Sequence, residues 1–435
     1  MAHDTVSFAR PTEKPSPPAQ PTYTVPRFGG VTLPAGLIYL DNAAATPVCL
    51  PAFEAMTPWL VGVCGNPSNR LHPMGELSEH ALAEARATLA RACAATPEEI
   101  VFVASATEAN NLVLRGLACA SGRKRHRIVV GATEHSSVLA TALRLAELDT
   151  TLEVITLPVD SQGQVNINTA RALLDTNTLC LSLMDVNNET GIVQEALPAV
   201  ATLARSLGVH VHVDAVQGFA RGAFGKRNDA GGQDAFPYDT AVVSGAKMNG
   251  PKGAAALVLR KKRPRIRLES QLTGGGQEGH LRSGTPNVPA IVGFAHAVEW
   301  YQARRGPELE RLARLEALFL STLRKKLLGS VNVSVHGEGA TRVPGIASIH
   351  LEGVNAMKLI EEAKLVAVSV GSACRTLQAT ASHVLLAMGA SDEVALASFR
   401  VSFGLCNEDA DALMAASLLA EAALKVRSYS AVFPS

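Results

Sequence analysis

No apolar run in this sequence reaches the roughly 18 residues that a membrane-spanning helix needs, so a membrane is not expected as a partner. Cysteine is present without a pattern. Cys49, Cys64, Cys93, Cys119, Cys180, Cys374 and Cys406 are odd in number and contain no C-x-x-C pair, which excludes a disulfide framework and a zinc ribbon. Net charge is almost absent. A formal charge of +1 gives no electrostatic case for nucleic acid or an anionic lipid surface. Charged residues make up only 18% against 47% hydrophobic, so the chain can bury a large core and nothing in its composition indicates a disordered protein. Its 435 residues suffice for about two or three domains.

The first 36 residues lack periodic apolar spacing, are rich in Pro, Thr and Ser, and read as a disordered N-terminal extension without a secretory h-region. Beyond it, short β-branched runs alternate with helical patterns. The strands expected are Ile100–Val103, Arg127–Val130, Leu152–Leu157, Leu179–Met184, Val209–Val213, Thr240–Ser244 and Ala254–Leu259. Helices are expected between most of them, at Glu108–Ala118, Ser137–Glu147, Ile167–Leu174 and Leu197–Ser206. That rhythm predicts an α/β fold with a mostly parallel seven-stranded sheet and a ligand crevice at the strands' carboxyl ends. After Arg282-Ser283-Gly284-Thr285 the texture changes to long helices, then strands Val331–Val335, Ala347–Leu351 and Val366–Ser369, and a closing helix from Asp409, a smaller α+β layer.

The carboxyl ends of the expected strands carry the chemistry. Ala104-Ser105-Ala106-Thr107-Glu108 opens a helix after the first strand, and free N–H groups with a hydroxyl there suit a phosphate or serve as a plain N-cap. The second strand leads to Thr133-Glu134-His135 and a later one to Asn187-Asn188-Glu189-Thr190-Gly191. Asp214 ends an apolar strand and needs a cationic partner there. Lys247 follows Thr240–Ser244, where desolvation lowers an amine's pKa and frees it as a nucleophile. A lysine, an acid, a histidine and phosphate donors at one sheet rim are what a pyridoxal phosphate site requires.

The ordered motifs Tyr39-Leu40-Asp41-Asn42-Ala43-Ala44-Ala45-Thr46-Pro47, Gly65-Asn66-Pro67-Ser68, Ser105-Ala106-Thr107-Glu108, Thr133-Glu134-His135, Asn187-Asn188-Glu189-Thr190-Gly191, His212-Val213-Asp214-Ala215-Val216-Gln217, Gly250-Pro251-Lys252-Gly253, Gly274-Gly275-Gly276-Gln277-Glu278, Arg282-Ser283-Gly284-Thr285 and Gly371-Ser372-Ala373-Cys374 resemble the cysteine desulfurases. These belong to the class V aminotransferase branch of the fold-type I pyridoxal phosphate-dependent transferases. The resemblance runs from about Ile38 to about Glu421. It implies a large cofactor-binding domain over residues 51–295 and a small domain over 37–50 and 296–435 that carries the catalytic-cysteine loop, in its longer form.

The resemblance also implies roles. Lys247 holds the cofactor covalently and moves the substrate's α-proton, Asp214 pairs with the pyridine nitrogen, His135 stacks on the ring and as a catalytic residue takes part in proton transfer, and Gln217 meets the ring hydroxyl. Ala106, Thr107 and Ser244 hold the phosphate, and Thr285 reaches the cofactor of the other subunit in a homodimer. Asn188 and Arg400 hold the substrate carboxylate, and Asn188 borders the cofactor as well. Cys374 is the nucleophile that takes sulfur from L-cysteine as a persulfide, leaving L-alanine, and passes it to a sulfur-acceptor or scaffold protein in iron–sulfur cluster assembly or thiolation of tRNA or cofactors. A selenocysteine lyase is the alternative from the same residues, and a catalytically degenerate scaffold is the second. The scaffold reading rests on Ala246, which stands where the family has a histidine that helps hold the phosphate. The cytoplasm is the expected compartment, with a mitochondrial or other organellar location as the alternative. The basic runs Arg123–Arg127 and Arg260–Arg263 read as solvated loops, and of the six other cysteines, read as small core residues, Cys64 and Cys406 lie in the stretches with least apolar character.

Overall fold

The computed structural model describes residues 35–226, 238–262, 265–371 and 381–432. The N-terminal extension, except for its last two residues, and the segment containing Cys374 lie outside the described residues. The strands are β1 (Ile38–Tyr39), β2 (Ile100–Val103), β3 (Arg127–Gly131), β4 (Glu153–Leu157), β5 (Thr178–Ser182), β6 (His210–Asp214), β7 (Thr240–Ser244), β8 (Ala255–Leu259), β9 (Val333–Val335), β10 (Ile346–Leu351), β11 (Val366–Ala367), β12 (Ser369–Val370) and β13 (Ser398–Ser402).

Seven strands form one sheet in the order β2-β8-β7-β6-β5-β3-β4. The ladders from β7 through β4 are parallel, whereas β8 runs antiparallel to both β2 and β7. The reason is the length of the link. Gly245–Ala254 is too short for the crossover of a dozen or more residues that a parallel pair requires. Helices cover both faces, so the strands are apolar along their length. Ile100, Phe102, Val129 and Val243 pack toward the helices Pro73–Ala92, Leu197–Ser206 and Val288–Gln302. The intervening Val101, Val103, Ile128, Val130 and Val242 pack toward Ala106–Ala118 and Ser136–Leu148, which is the two-residue alternation of a strand buried on both sides.

A second core gathers around the antiparallel sheet β12-β13-β10-β9, the parallel pair β1-β11, and the helices Arg305–Leu327 and Asp409–Val432. Here the expected strand Val366–Ser369 proves to be two. Val366–Ala367 pairs with β1, and Ser369–Val370 pairs with β13 in the other sheet. On β13, Phe399 and Val401 enter the core, so alternation turns Arg400 to the opposite face.

Further elements were not foreseen. A helix spans Leu50–Val61, with Pro51 in its first turn and Pro58 inside it. Short helices lie at Ala356–Glu362, His383–Ala387 and Asp392–Leu396. The basic runs are mostly loop, with Lys124, Lys261 and Lys262 exposed and Arg263 outside the described residues, but their arginines are fixed by partners. Arg123 pairs with Asp149 at 2.7 Å, Arg125 donates to the carbonyls of Thr178 and Leu207, and Arg127 pairs with both Glu153 and Asp175. Arg260, Lys261 and Lys262 pair with Glu99, Glu98 and Asp239. These ion pairs tie loops to strand ends. Cys119 is exposed, as are Cys64 and Cys406, whereas Cys49, Cys93 and Cys180 are buried.

Candidate active site

A cleft of about 690 Å³ opens at the carboxyl ends of the parallel strands. It is lined by Ala106, Thr107, His135, Asn188, Asp214, Gln217, Ser244, Lys247 and Arg400, so the expected cofactor and substrate residues converge there. Thr285 is exposed and is not part of this wall. The size suits a ligand of cofactor dimensions.

Each wall has a local origin. Ser105 caps the helix Ala106–Ala118 by accepting the N–H of Glu108 at 3.1 Å, and the Glu108 carboxylate accepts the N–H of Ala104 at 2.9 Å. That reciprocal cap sets Ala106 and Thr107 at the mouth of the helix, where the dipole favours an anion. Lys247 follows β7 on a single 3-10 turn, and its Nζ donates to the carbonyl of Ala44. The turn is held from below. The Asn249 N–H donates to Thr46 Oγ1 at 2.8 Å and its side-chain amide to the carbonyl of Pro47 at 2.9 Å. Asn249 has φ of 61°, a left-handed conformation that asparagine tolerates better than most residues. The Met248-Asn249 pair thus forms a fixed turn, with Met248 buried in the core.

Asp214 is 6% exposed. Its Oδ2 accepts from Asn110 Nδ2 at 2.9 Å and its Oδ1 from the N–H of Val216 at 3.2 Å. Gln217 is anchored by donating to the carbonyl of Ala43 at 3.0 Å. His135 Nδ1 lies 2.8 Å from Ser137 Oγ and accepts the Ser137 N–H at 3.1 Å. Burial is the main cause holding the His135 imidazole below its ordinary pKa; Asp214 opposes it, while Lys247 and His383 push the same way. A neutral ring whose Nδ1 accepts carries its proton on Nε2.

Arg400 is 2% exposed. It donates to Asp41 at 2.6 Å, to Ser369 at 2.8 Å and to the carbonyl of Asn188 at 3.0 Å. Its Nε is buried without a hydrogen-bond partner, the kind of donor an incoming carboxylate would satisfy.

Sequence reasoning missed several wall residues. Glu189, 2% exposed, accepts from Ser382 Oγ at 2.5 Å and borders the cleft with His383. Burial is the main cause raising its pKa. Glu134 is fully buried beneath the cleft and accepts from the Met184 N–H and Ser182 Oγ. Burial, with Asp214 and Asp185 nearby, pushes its carboxyl up to about 8. Both acids sit inside motifs noted above, next to His135 and Asn188, and burial was the only missing signal.

The donor set fits pyridoxal phosphate: an amine, a fixed carboxylate, a flat ring for stacking, and a helix mouth for the phosphate share one cavity. The aminotransferase class-V family model matches residues 38–413. A cysteine desulfurase IscS of Rickettsia africae is 33% identical over 93% of this chain and 95% of its own length. A cysteine desulfurase IscS of Neisseria meningitidis is 36% identical over 90% and 94%. The solved NifS-like protein of Rickettsia africae superposes with a TM-score of 0.73 at 26% identity, covering 90% of this chain and 99% of that one. The chain belongs to the class-V aminotransferase family and, within it, to the pyridoxal phosphate-dependent cysteine desulfurases.

Proposed function

We propose that the protein converts L-cysteine to L-alanine and carries the sulfur as a persulfide on Cys374. The observation behind this reading is the meeting of Lys247, Asp214, His135 and Arg400 in one cleft with the mouth of a helix. Lys247 would bind the cofactor. Ala106, Thr107 and Ser244 would hold its phosphate, Asp214 its ring nitrogen, Gln217 its ring hydroxyl, and His135 its ring face. When bound, the cofactor supplies an electron sink for negative charge at the substrate's α-carbon.

The remaining steps belong to the chain. Asn188 and Arg400 orient the substrate carboxylate. Lys247 Nζ takes the α-proton and shuttles it. The Cys374 thiolate attacks the substrate sulfur. An S–S bond forms and the C–S bond breaks, with its electron pair left on carbon, which takes up a proton to give alanine. The persulfide then passes to a sulfur-acceptor or scaffold protein, in iron–sulfur cluster assembly or thiolation of tRNA or cofactors. Gly371 and Ala381, on either side of the segment containing Cys374, both border the cleft, which supports that thiol as the acceptor of sulfur.

The active form is proposed as a homodimer in which Thr285 serves the other subunit's cleft. Thr285 is exposed, as are Leu60, Val61 and Leu71, which leaves them accessible to a second subunit. The division into domains at 51–295 and at 37–50 with 296–435 is supported by the separate cores and by the pairing of β1 with β11. Among the described residues no helix is long and apolar enough to cross a membrane. The scattered cysteines fit the reducing cytoplasm.

The test compares alanine release from L-cysteine and from L-selenocysteine by the purified protein. Release from cysteine supports the proposal. Release from selenocysteine alone indicates the lyase, and release from neither indicates the scaffold.

A further inference from the structure

Asp214 and His135 are joined by a buried polar chain that the proposed steps do not use. Its centre is Asn110, fully buried on the helix Ala106–Ala118. Asn110 Nδ2 lies 2.9 Å from Asp214 Oδ2 and 2.8 Å from Ser137 Oγ, and its Oδ1 lies 3.0 Å from His212 Nε2. Behind His212, its Nδ1 lies 2.9 Å from Thr240 Oγ1, which lies 2.8 Å from His210 Nε2. In the other direction Ser137 Oγ reaches His135 Nδ1 at 2.8 Å.

The protons in this chain have one consistent order. An ionised Asp214 only accepts, so the Asn110 NH₂ faces it and its second hydrogen points to Ser137. Asn110 Oδ1 then requires a donor, and His212 supplies it from Nε2. Burial holds His212 neutral, its pKa pushed down to about 3, so its Nδ1 accepts the Thr240 hydroxyl proton. Thr240 Oγ1 in turn accepts from His210 Nε2, a ring that burial likewise pushes down, to about 4. Ser137 Oγ, having accepted from Asn110, gives its own proton to His135 Nδ1. Each group is satisfied once, and reversing any one amide or ring leaves two donors or two acceptors facing each other inside the protein.

We propose that Asn110 is a positioning residue that fixes the orientation of Asp214 and, by turning the Ser137 hydroxyl proton toward His135 Nδ1, adds to the Ser137 N–H a second donor that favours the neutral ring, while the His210–Thr240–His212 chain holds the Asn110 amide in one orientation. The inference rests on the active-site reading above. Its consequence is a coupling of the acid and the histidine. An imidazolium at His135 would set an Nδ1–H against the Ser137 N–H, so the chain keeps His135 neutral with its proton on Nε2. The same contacts hold Asp214 by both oxygens, from Asn110 and from the Val216 N–H.

The full-length protein, labelled with 15N in histidine, carries the test. In the wild type, His135 and His212 should give NMR signals of neutral Nε2–H rings at about pH 7. Asn110→Ala should leave the Nε2–H tautomer that the Ser137 N–H holds, and move the His135 titration midpoint by about one unit or more. In the cofactor-loaded enzyme it should lower kcat for alanine formation about tenfold, with KM changing less than about threefold. Because Asn110 is buried, a second pair guards against misfolding. His212→Phe should shift His135 in the same direction, and His212→Gln, which keeps a donor, should restore it. An unchanged His135 midpoint in Asn110→Ala would overturn the proposal, as would equal behaviour of the two His212 variants. If wild-type protein makes no alanine from cysteine, the active-site reading fails, and the NMR arm still decides the coupling.

Discussion

The carbonyl oxygen of Ala246 accepts two hydrogen bonds from Thr46, one from its N–H at 2.9 Å and one from its hydroxyl at 3.1 Å. The residue before Lys247, the lysine proposed to bind the cofactor, is thus clamped by backbone and hydroxyl, while its methyl side chain borders the cleft. Where the family places a phosphate-binding histidine, this chain keeps the turn and gives up the donor.

Cofactor retention is expected to be weaker for that reason. One hydrogen bond to a charged oxygen contributes roughly 1–3 kcal/mol, so Ala246→His should raise affinity by about fivefold to 150-fold. Spectrophotometric titration of the apoproteins measures it, and equal affinities contradict the role given to this position.

Asn249 should matter more than its loop position suggests. Asn249→Ala loses the bond to Pro47 and leaves the left-handed conformation to a residue without the short polar side chain that eases it, at about 1–3 kcal/mol. Asn249→Gly loses only the bond and should cost less. Thermal denaturation of the two variants gives the order; Gly falling below Ala would show that the left-handed φ is not the constraint.

Glu134 predicts a pH dependence of stability. Its folded pKa of about 8 is raised above the ordinary value of 4.5 by burial first. Through that interval the folded carboxyl keeps a proton that the unfolded chain releases, so its contribution is full below pH 4.5 and is lost as pH rises through 8. Glu134→Gln, neutral at every pH, should melt higher than wild type by a margin that grows over the same interval. A margin independent of pH would mean that Glu134 is ionised in the fold.

Much of this site was legible in the sequence because its carriers end apolar runs. The sheet strands announce themselves as β-branched segments, and a polar residue that stops such a run, as Asp214 does after β6, lies at the rim by construction. Asn110 was not legible. A polar residue in a helix reads as a solvated position until the partners behind it are known. The helix Leu50–Val61 escaped for another reason: Pro51 and Pro58 mask it, and Leu50, Phe53, Leu60 and Val61 are exposed, so no amphipathic stripe marks a buried face. The partners of the arginines at 123–127 were not legible either, since the acids that meet Arg123 and Arg127 and the carbonyls that meet Arg125 lie far along the chain.

Arg400 should act on binding. Lysine cannot reproduce a planar guanidinium that meets Asp41, Ser369 and the Asn188 carbonyl and still has Nε to offer. Arg400→Lys is expected to raise KM for cysteine about tenfold or more, with a smaller change in kcat. Steady-state kinetics with unchanged KM would remove Arg400 from the substrate site.

The central claim is sulfur transfer to one thiol, and the most direct measurement is mass spectrometry of the protein after a single turnover with L-cysteine. The account predicts one alanine released for each added sulfur atom, with the sulfur on the peptide containing Cys374. The wild-type protein should gain it, and Lys247→Ala and Cys374→Ser should not. Sulfur on exposed Cys64, Cys119 or Cys406 instead, or alanine released in full by Cys374→Ser, would contradict it.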